Sequence, residues 1–282
     1  MKNFKNNYLV LGGDSSLGKA IINSFYKANI SFICTTRNKK NISKNKLFFD
    51  FEQYNDFVIP SNISTVYFCA AITSIEICEN EKKKTREINV KITCNLIKKF
   101  LKNNIHVVYF STNLIFSGKN KYFSHLSKYT PQNEYAKQKI LVEEFLKKQK
   151  NKKFSIIRFG KIFFQKDKLL SEWIINLKKN KKILIIKDKF ISPIYIYDAI
   201  NVIKEITFKQ KIGIFQISAS DFISYLEIAK IILKKLKKDK KLICEINSSN
   251  GENSILKSNI GFNKKINSIG TVQKFLNDNN IY

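Results

Sequence analysis

The sequence has 282 residues, of which 44% are hydrophobic and 13% aromatic, and its formal net charge is +29. This length and apolar content exclude a globally disordered chain and allow one large α/β domain, or a dinucleotide-binding domain with a smaller partner. The positive charge is nearly all lysine spread along the chain, whereas arginine, which makes bidentate contacts with bases and phosphates, is rare. We therefore expect a solvated lysine surface and no specific nucleic-acid site, although salt-sensitive attraction of polyanions and of anionic substrates is expected.

Cysteine and histidine do not occur at metal-binding spacings. The five cysteines include no C-x-x-C pair, and His106 and His125 are the only histidines, so we expect reduced thiols and no metal. No apolar run is long enough to cross a bilayer, and the first residues lack the apolar stretch of a signal peptide. These features predict a cytoplasmic protein without membrane contacts.

Short apolar runs alternate with longer amphipathic stretches in the first half of the chain. The predicted strands are residues 8–12, 31–35, 46–51, 65–70, 105–111 and 154–159. The predicted helices are residues 17–28, 81–103 and 134–148, and in the long second helix Ile88, Ile92, Leu96 and Phe100 recur on one face. This alternation predicts an α/β fold with a doubly wound parallel Rossmann sheet.

The alternation becomes less regular after residue 160. Helices are predicted over residues 169–177, 198–208 and 224–236, and extended segments over 182–186 and 212–217. We expect residues 1–160 to form an NAD(P)-binding Rossmann domain. Residues 161–282 are expected to form a smaller substrate-binding region, partly interleaved with the first domain.

The first predicted strand leads into the loop GGDSSLG at residues 12–18, which opens the first helix. Glycines permit a tight turn and a close approach of the backbone, and a helix N-terminus binds phosphate. The spacing from Gly12 to Gly18 is typical of a dinucleotide-phosphate loop, with Ser15 in place of the middle glycine. The loop therefore predicts cofactor binding rather than a plain strand–helix turn.

The residues after the second predicted strand indicate the type of cofactor. An acidic residue at this point usually binds the ribose diol of NAD, whereas an arginine suits the 2′-phosphate of NADP. The chain has no acid in the run TTRN at residues 35–38, and Arg37 is its only charged residue. Arg37 therefore favours NADP, while NAD stays open. The alternative interpretation is that Arg37 contacts only solvent and no cofactor.

Tyr135 and Lys139 are four residues apart on a predicted helix and so share one face. A carbonyl that is reduced by hydride must also gain a proton, and a nearby ammonium lowers the pKa of a tyrosine toward the working range. Thr112 follows the fifth predicted strand, at the sheet edge where doubly wound folds bind ligands. These three residues form the candidate catalytic set.

Several segments resemble, in order along the chain, those of the extended short-chain dehydrogenases/reductases, and especially the dTDP-4-dehydrorhamnose reductase-like branch of the NAD-dependent epimerase/dehydratases. The matching segments are VYFCAAITSIEICE (66–79), INV (88–90), STNLIFSG (111–118), PQNEYAKQK (131–139), IR (157–158), SPIY (192–195) and GIFQIS (213–218). The departures are Asn113 and Leu114, where the branch has Asp and Tyr, and Lys161, where it often has a Trp that touches substrate.

The resemblance implies a role for each matching residue. Tyr135 would be the general acid, Lys139 would tune it and bind the nicotinamide ribose, and Thr112 would orient the carbonyl. The residues implied at the cofactor are Gly12, Ser15, Ser16, Leu17 and Gly18 at the pyrophosphate, Asp50 and Phe51 at the adenine, and Ala70, Ala71 and Thr73 along its middle.

The implied activity is NAD(P)H-dependent reduction of a keto group on a nucleotide-activated sugar, for polysaccharide biosynthesis. A nucleotide-sugar epimerase and a non-catalytic NADP-binding regulatory subunit stay open as alternatives. A 4,6-dehydratase is disfavoured because Asn113 and Leu114 stand where that subfamily has its acid and base. The expected partner is the nucleotide-sugar substrate, and the sequence leaves a homodimer open.

Overall fold

The computed structural model describes residues 7–118, 122–247, 253–259 and 266–281. The strands are β1 (Asn7–Leu11), β2 (Phe32–Thr36), β3 (Lys46–Phe48), β4 (Ile63–Phe68), β5 (His106–Thr112), β6 (Phe154–Phe159), β7 (Ile162–Phe163), β8 (Ile183–Ile186), β9 (Phe190–Ile191), β10 (Ile194–Tyr195), β11 (Gly213–Ile217), β12 (Ile223–Ser224) and β13 (Ile243–Ile246). The helices are α1 (Ser16–Lys27), α2 (Ile75–Asn80), α3 (Lys82–Arg86), α4 (Thr93–Lys102), α5 (Glu134–Lys148), α6 (Lys168–Lys178), α7 (Ile196–Phe208), α8 (Tyr225–Leu236) and α9 (Ser268–Asp278).

Seven of these strands form one parallel sheet, which confirms the predicted α/β fold with a doubly wound Rossmann sheet. Their order is β11-β6-β5-β4-β1-β2-β3, so β1 lies between β4 and β2. The chain reverses its direction of strand addition at β1, and ligands of doubly wound sheets bind beside the carboxyl ends of the strands at such a switch point. The loops after β1, β2 and β4 therefore meet at one edge.

A π-helical segment, Glu87–Ile92, separates α3 from α4 within the predicted helix 81–103. The Thr93 hydroxyl donates to the Ile88 carbonyl oxygen at 2.9 Å, five residues back. Hydrophobic periodicity cannot reveal this wider turn, because the apolar side chains still recur on one side. Such segments often occur at functional sites, and this one contains the buried Asn89.

Asparagine ends several helices in the left-handed conformation that glycine usually supplies. Asn29, Asn104, Asn180 and Asn280 have φ of 50°, 57°, 52° and 54° and follow α1, α4, α6 and α9. Asparagine tolerates this region better than other side chains, and the following N–H closes the helix end. The glycine-poor, asparagine-rich composition is thus compatible with ordinary helix ends.

The main apolar core lies between the central strands and the helices that pack on them. Its fully buried members include Leu9 of β1, Val66 of β4, Val107 of β5, Leu96 of α4 and Val142 of α5. Strands buried in this way are expected to be continuous apolar runs, as these are. The core holds rigid the strand ends that carry the candidate site.

The chain divides into two compact units. One comprises Met1–Ile115, Pro131–Arg158 and Ile200–Phe215, and the other Phe116–Thr130, Phe159–Ala199 and Gln216–Tyr282. A change of unit after Arg158 lies close to the predicted boundary at residue 160. Within the described residues, no helix is both long enough and apolar enough to cross a membrane, and no cluster of His, Cys, Asp and Glu is arranged to hold a metal ion.

Candidate active site

The loop after β1 can exist only with glycine at two positions. Gly12 has a φ of +89°, and a Cβ there would lie 2.6 Å from the backbone nitrogen of Ala70. A Cβ on Gly18 would collide with the Gly12 carbonyl oxygen and lie 3.1 Å from the Gly13 Cα. The loop is therefore packed backbone to backbone, as a tight turn and close helix–strand packing require.

Ser15 is the N-cap of α1. Its hydroxyl donates to the Gly12 carbonyl oxygen at 2.8 Å and accepts from the Gly18 N–H at 3.0 Å. Ser15 thus uses its hydroxyl to close the loop. The N–H groups of Ser16 and Leu17 lie in the first turn of α1, before the first N–H group that can bond within a helix. They point out of the N-terminus of α1, where an anion binds.

The end of β2 is tied to the same loop. The Gly12 N–H donates to the Thr35 hydroxyl at 2.8 Å, and the Gly13 N–H donates to the Thr35 carbonyl oxygen at 2.9 Å. The Thr36 hydroxyl donates to Asp14 at 2.6 Å, and the Lys46 ammonium lies 3.0 Å from the other oxygen of Asp14. This places an ionic pair where β2, β3 and the loop meet.

A cavity of about 690 Å³ opens at this edge of the sheet. Its size is that of a small-molecule or cofactor site. The predicted cofactor residues that line it are Gly12, Ser15, Arg37, Asp50, Phe51, Ala70, Ala71 and Thr73. The predicted residues Ser16, Leu17, Gly18 and Lys139 are not part of its lining. The cavity also has lining residues that the sequence analysis missed, namely Asp14, Thr35, Thr36, Phe49, Glu52, Cys69, Ile72, Ser74, Ile77, Glu81, Lys84 and Ile88.

Helix α5 carries the candidate catalytic pair. Asn133 caps it by accepting from the Ala136 N–H at 2.9 Å, which starts the helix just before Tyr135. The Lys139 ammonium lies 5.7 Å from the centre of the Tyr135 ring and 4.7 Å from that of Tyr109. The predicted i,i+4 neighbours are thus brought together.

Lys139 is buried and points at the main chain of β5. Its ammonium donates to the Phe110 carbonyl oxygen at 2.8 Å. Burial lowers the pKa of Lys139 to about 8, against an opposing effect of the Glu143 carboxylate. The thiol of Cys69, which lines the cavity, is also close enough to act on this pKa. Lys139 therefore lies near one lining residue, Cys69, without lining the cavity itself.

Burial raises the pKa of Tyr135 well above its usual value, with a smaller contribution from the Cys78 thiol. The expectation from sequence was the opposite, a pKa lowered by Lys139. The difference arises because burial removes the hydration that a phenolate needs, while the Lys139 ammonium donates to the Phe110 carbonyl oxygen. Tyr135 is therefore a neutral phenol at physiological pH.

Thr112 ends β5 and leads into a 3-10 turn, Asn113–Ile115. Its hydroxyl accepts from the Leu114 N–H at 3.2 Å and donates to the Asn113 side-chain oxygen at 3.4 Å. Asn113 and Leu114, two of the departures from the resembled family, thus help to orient Thr112. The hydroxyl stays half-buried at the strand end.

A polar network, buried except for Arg86, holds the start of α5. The Arg86 guanidinium binds Glu134 through two hydrogen bonds, of 2.5 and 3.0 Å. The Gln138 amide donates to Thr85 at 2.9 Å and to Glu134 at 3.2 Å, and its oxygen accepts from Asn89 at 2.8 Å. Glu134 and Gln138, which directly precede Tyr135 and Lys139 in sequence, therefore anchor the catalytic helix to α3 and the π-helical segment.

The buried ion pair Arg158–Glu143 fixes the other end of the same helix. Its shortest N–O distance is 2.6 Å, and both side chains are 1% exposed or less. Lys161 belongs to the second unit and pairs with Asp167 at 3.0 Å, while Asp167 also caps α6. The Lys161 side chain thus has an internal ionic partner.

The doubly wound sheet, the glycine loop and the Tyr135–Lys139 pair define an extended short-chain dehydrogenase/reductase. The family model of the RmlD substrate binding domain matches residues 6–257, and the chain belongs to that family. A search of curated protein sequences found no match.

Solved structures of this class share the fold. The dTDP-4-dehydrorhamnose reductase of Bacillus anthracis str. Ames, in complex with NADP, is 20% identical, with a TM-score of 0.83 over 97% of this chain and 98% of that one. The dTDP-4-dehydrorhamnose reductase of Clostridium acetobutylicum ATCC 824 is also 20% identical, with a TM-score of 0.81 over 96% and 98%. The UDP-glucose 4-epimerase of Thermotoga maritima, with UDP-glucose, is 16% identical, with a TM-score of 0.73 over 90% of each chain.

Proposed function

We propose that this protein is an NADPH-dependent reductase of a keto group on a nucleotide-activated sugar. The observation that carries the proposal is the buried Lys139 ammonium, which donates to the Phe110 carbonyl oxygen and lies 5.7 Å from the centre of the Tyr135 ring, near Cys69 of a cofactor-sized cavity. A buried charge is costly unless it has a task or a partner. The family membership and the NADP-bound relative support the same activity.

Tyr135 is suited to donate a proton. Reduction of a carbonyl turns its oxygen into a hydroxyl, so the residue beside that oxygen must hold a proton at the start of the reaction. The raised pKa of Tyr135 keeps its phenol protonated. As the phenol loses its proton, the Lys139 ammonium stabilises the charge that develops on it.

Thr112 is proposed to orient the substrate carbonyl. Its hydroxyl lies at the end of β5, two residues after the Phe110 carbonyl that anchors Lys139. The Leu114 N–H bond fixes the hydroxyl oxygen, while the 3.4 Å contact with Asn113 is weak enough to be exchanged. Thr112 can therefore turn its hydroxyl proton toward a substrate oxygen.

The cavity fits a dinucleotide. Gly12 and Gly18 allow a loop so tight that a Cβ at either position would meet backbone, and the first N–H groups of α1 supply an anion site. Ser16, Leu17 and Gly18 would hold the pyrophosphate at that helix end. NADPH would supply the hydride when bound, and Arg37, which lines the cavity, would attract its 2′-phosphate, with NADH open as a second cofactor.

Turnover of a substrate panel tests the proposal. The purified protein is mixed with NADPH and each of several 4-keto nucleotide sugars, and oxidation of the cofactor is followed at 340 nm. Oxidation with at least one keto sugar, and none with the same sugar lacking the keto group, is the expected result. NADPH binding without turnover of any member would contradict reductase activity and favour the regulatory-subunit alternative.

The homodimer stays a prediction, since the structure contains one chain. Sedimentation equilibrium measures the mass in solution directly. A mass of twice 32.9 kDa would support a dimer, and 32.9 kDa would exclude one at the concentration used.

A further inference from the structure

Asp14 brings a carboxylate to the end of β2 from another part of the chain. Its side-chain oxygen accepts a hydrogen bond of 2.6 Å from Thr36, the last residue of β2. The Thr36 oxygen itself accepts from the Asn38 N–H at 3.1 Å, so its proton is directed at Asp14. The acid that the sequence lacks after β2 is therefore present there in space.

The carboxylate of Asp14 is ionised and accessible. Desolvation raises its pKa, but hydrogen bonds from Thr36 and Lys46 lower it further, and the net shift is downward. The side chain is 42% exposed and lines the cavity together with Arg37. A carboxylate has about four acceptor sites, so the bonds from Thr36, Lys46 and the Arg37 backbone N–H leave room for one more donor.

Two residues of opposite charge thus line the cavity at the end of β2. At the end of β2, dinucleotide sites place an acid for the ribose 2′-hydroxyl of NADH, or a cation for the 2′-phosphate of NADPH. Asp14 meets the first requirement and Arg37 the second. The balance between them determines which cofactor binds more tightly.

We propose that Asp14 is the specificity-determining residue for the cofactor, accepting a hydrogen bond from the 2′-hydroxyl of NADH and repelling the 2′-phosphate of NADPH. The inference rests on the proposed dinucleotide site and deepens it. Lys46 moderates the repulsion because it neutralises part of the charge on Asp14. The site therefore accepts both cofactors and discriminates weakly between them.

Calorimetric titration with NADH and with NADPH tests the inference on the wild type and Asp14→Asn. The amide keeps the size of the side chain and loses the charge. A hydrogen bond to a charged group contributes enough that the ratio of the two dissociation constants should shift toward NADPH by at least about tenfold. Arg37→Ala should shift the ratio toward NADH. Asp14→Ser is the second variant, and its shift should have the same direction as that of Asp14→Asn.

The matched control is Asp56→Asn, which removes the same charge from an exposed position in the 3-10 segment Phe51–Asp56. Its ratio should stay within about twofold of the wild type, since an exposed charge is screened by salt. If the ratio of the two dissociation constants for Asp14→Asn also stays within about twofold of the wild type, the inference is overturned and the reductase proposal remains intact. Binding of neither cofactor to the wild type would overturn both. A failed substrate screen with the shift present would overturn the reductase activity alone.

Discussion

Asn89 and Gln138 share a buried hydrogen bond of 2.8 Å, and Asn89 also holds the main chain of Ile72. The Asn89 oxygen accepts from the Ile72 N–H at 2.9 Å, and its nitrogen donates to the Ile72 carbonyl oxygen at 2.8 Å. Ile72 lines the candidate cofactor cavity, and Gln138 precedes Lys139. One side chain of the π-helical segment thus links the cavity wall to the catalytic helix.

Substitution Asn89→Leu should therefore weaken both stability and cofactor binding. It leaves the partly buried main-chain groups of Ile72 and the buried amide oxygen of Gln138 without this partner, and a buried group in that state costs about 1–3 kcal/mol. We expect the free energy of unfolding to fall by about 3 kcal/mol in urea titrations, together with weaker NADPH binding. The control is Asn95→Ala in α4, whose side chain is exposed and bonds to Tyr54 at 3.3 Å. Equal losses in the two variants would contradict the role of Asn89.

We predict that alanine substitution has very different effects on cofactor binding at two glycines that occupy the same position in the first turn of their helices. Gly18 and Gly270 each donate their N–H to the capping side chain, Ser15 and Asn267 respectively. A Cβ on Gly18 meets backbone, whereas a Cβ on Gly270 meets only the Asn267 side chain, at 2.9 Å. Gly18→Ala should abolish NADPH binding in calorimetry, and Gly270→Ala should keep it. Wild-type affinity in Gly18→Ala would contradict the loop as the pyrophosphate site.

From the burial of His106 we predict that the free energy of unfolding falls in acid. It is fully buried on β5, its Nε2 lies 2.8 Å from the Ser155 hydroxyl, and burial lowers its pKa to about 4, with a smaller effect of Lys153. The unfolded chain, with the usual pKa of 6.5, binds more protons between pH 4 and 6.5, so stability falls as pH decreases through this window. The contribution amounts to about 3 kcal/mol.

Urea titrations across this pH range measure the effect. His106→Gln should remove that part of the pH dependence, while His125→Gln, which removes the other histidine, should keep it. An unchanged slope in His106→Gln would show that other groups cause the acid sensitivity.

From the lowered pKa of Lys139 we predict an upper pH limit for activity. Because its pKa is about 8, the ammonium loses its proton above that pH and can no longer stabilise a charge on Tyr135. The value of kcat/KM should therefore decline above about pH 8. Lys139→Met should abolish turnover, and Lys137→Met, at an exposed position on the same helix, should leave the profile unchanged. A profile that stays flat to pH 10 would contradict a role for the charged lysine.

Local patterns in the sequence predict the features that depend on near neighbours. The strand–helix alternation predicts the sheet, and the i,i+4 spacing predicts that Tyr135 and Lys139 meet. The contact of Asp14 with Thr36 could not be predicted, because it joins residues 22 positions apart and depends on how the loop folds over β2. The raised pKa of Tyr135 could not be predicted either, since it depends on burial.

The cofactor preference also depends on a contact between residues that are distant in sequence. Sequence reasoning considers only the residue that follows β2, which is Arg37, and it therefore favours NADP. In the structure an acid reaches that position from the phosphate loop. The feature of the sequence that points to this acid is the charged residue inside the phosphate loop, Asp14.

The central claim is that Tyr135 donates the proton in a reduction by NADPH, and Tyr135→Phe tests it most directly. The variant removes one hydroxyl from a residue that is not part of the cavity lining, so NADPH should bind as tightly as to the wild type in calorimetry. Turnover of the keto sugar found in the panel should fall by at least about 100-fold in kcat, the usual contribution of a positioned acid. The exposed Tyr26→Phe is the control and should retain the wild-type rate. Wild-type turnover in Tyr135→Phe would contradict the account.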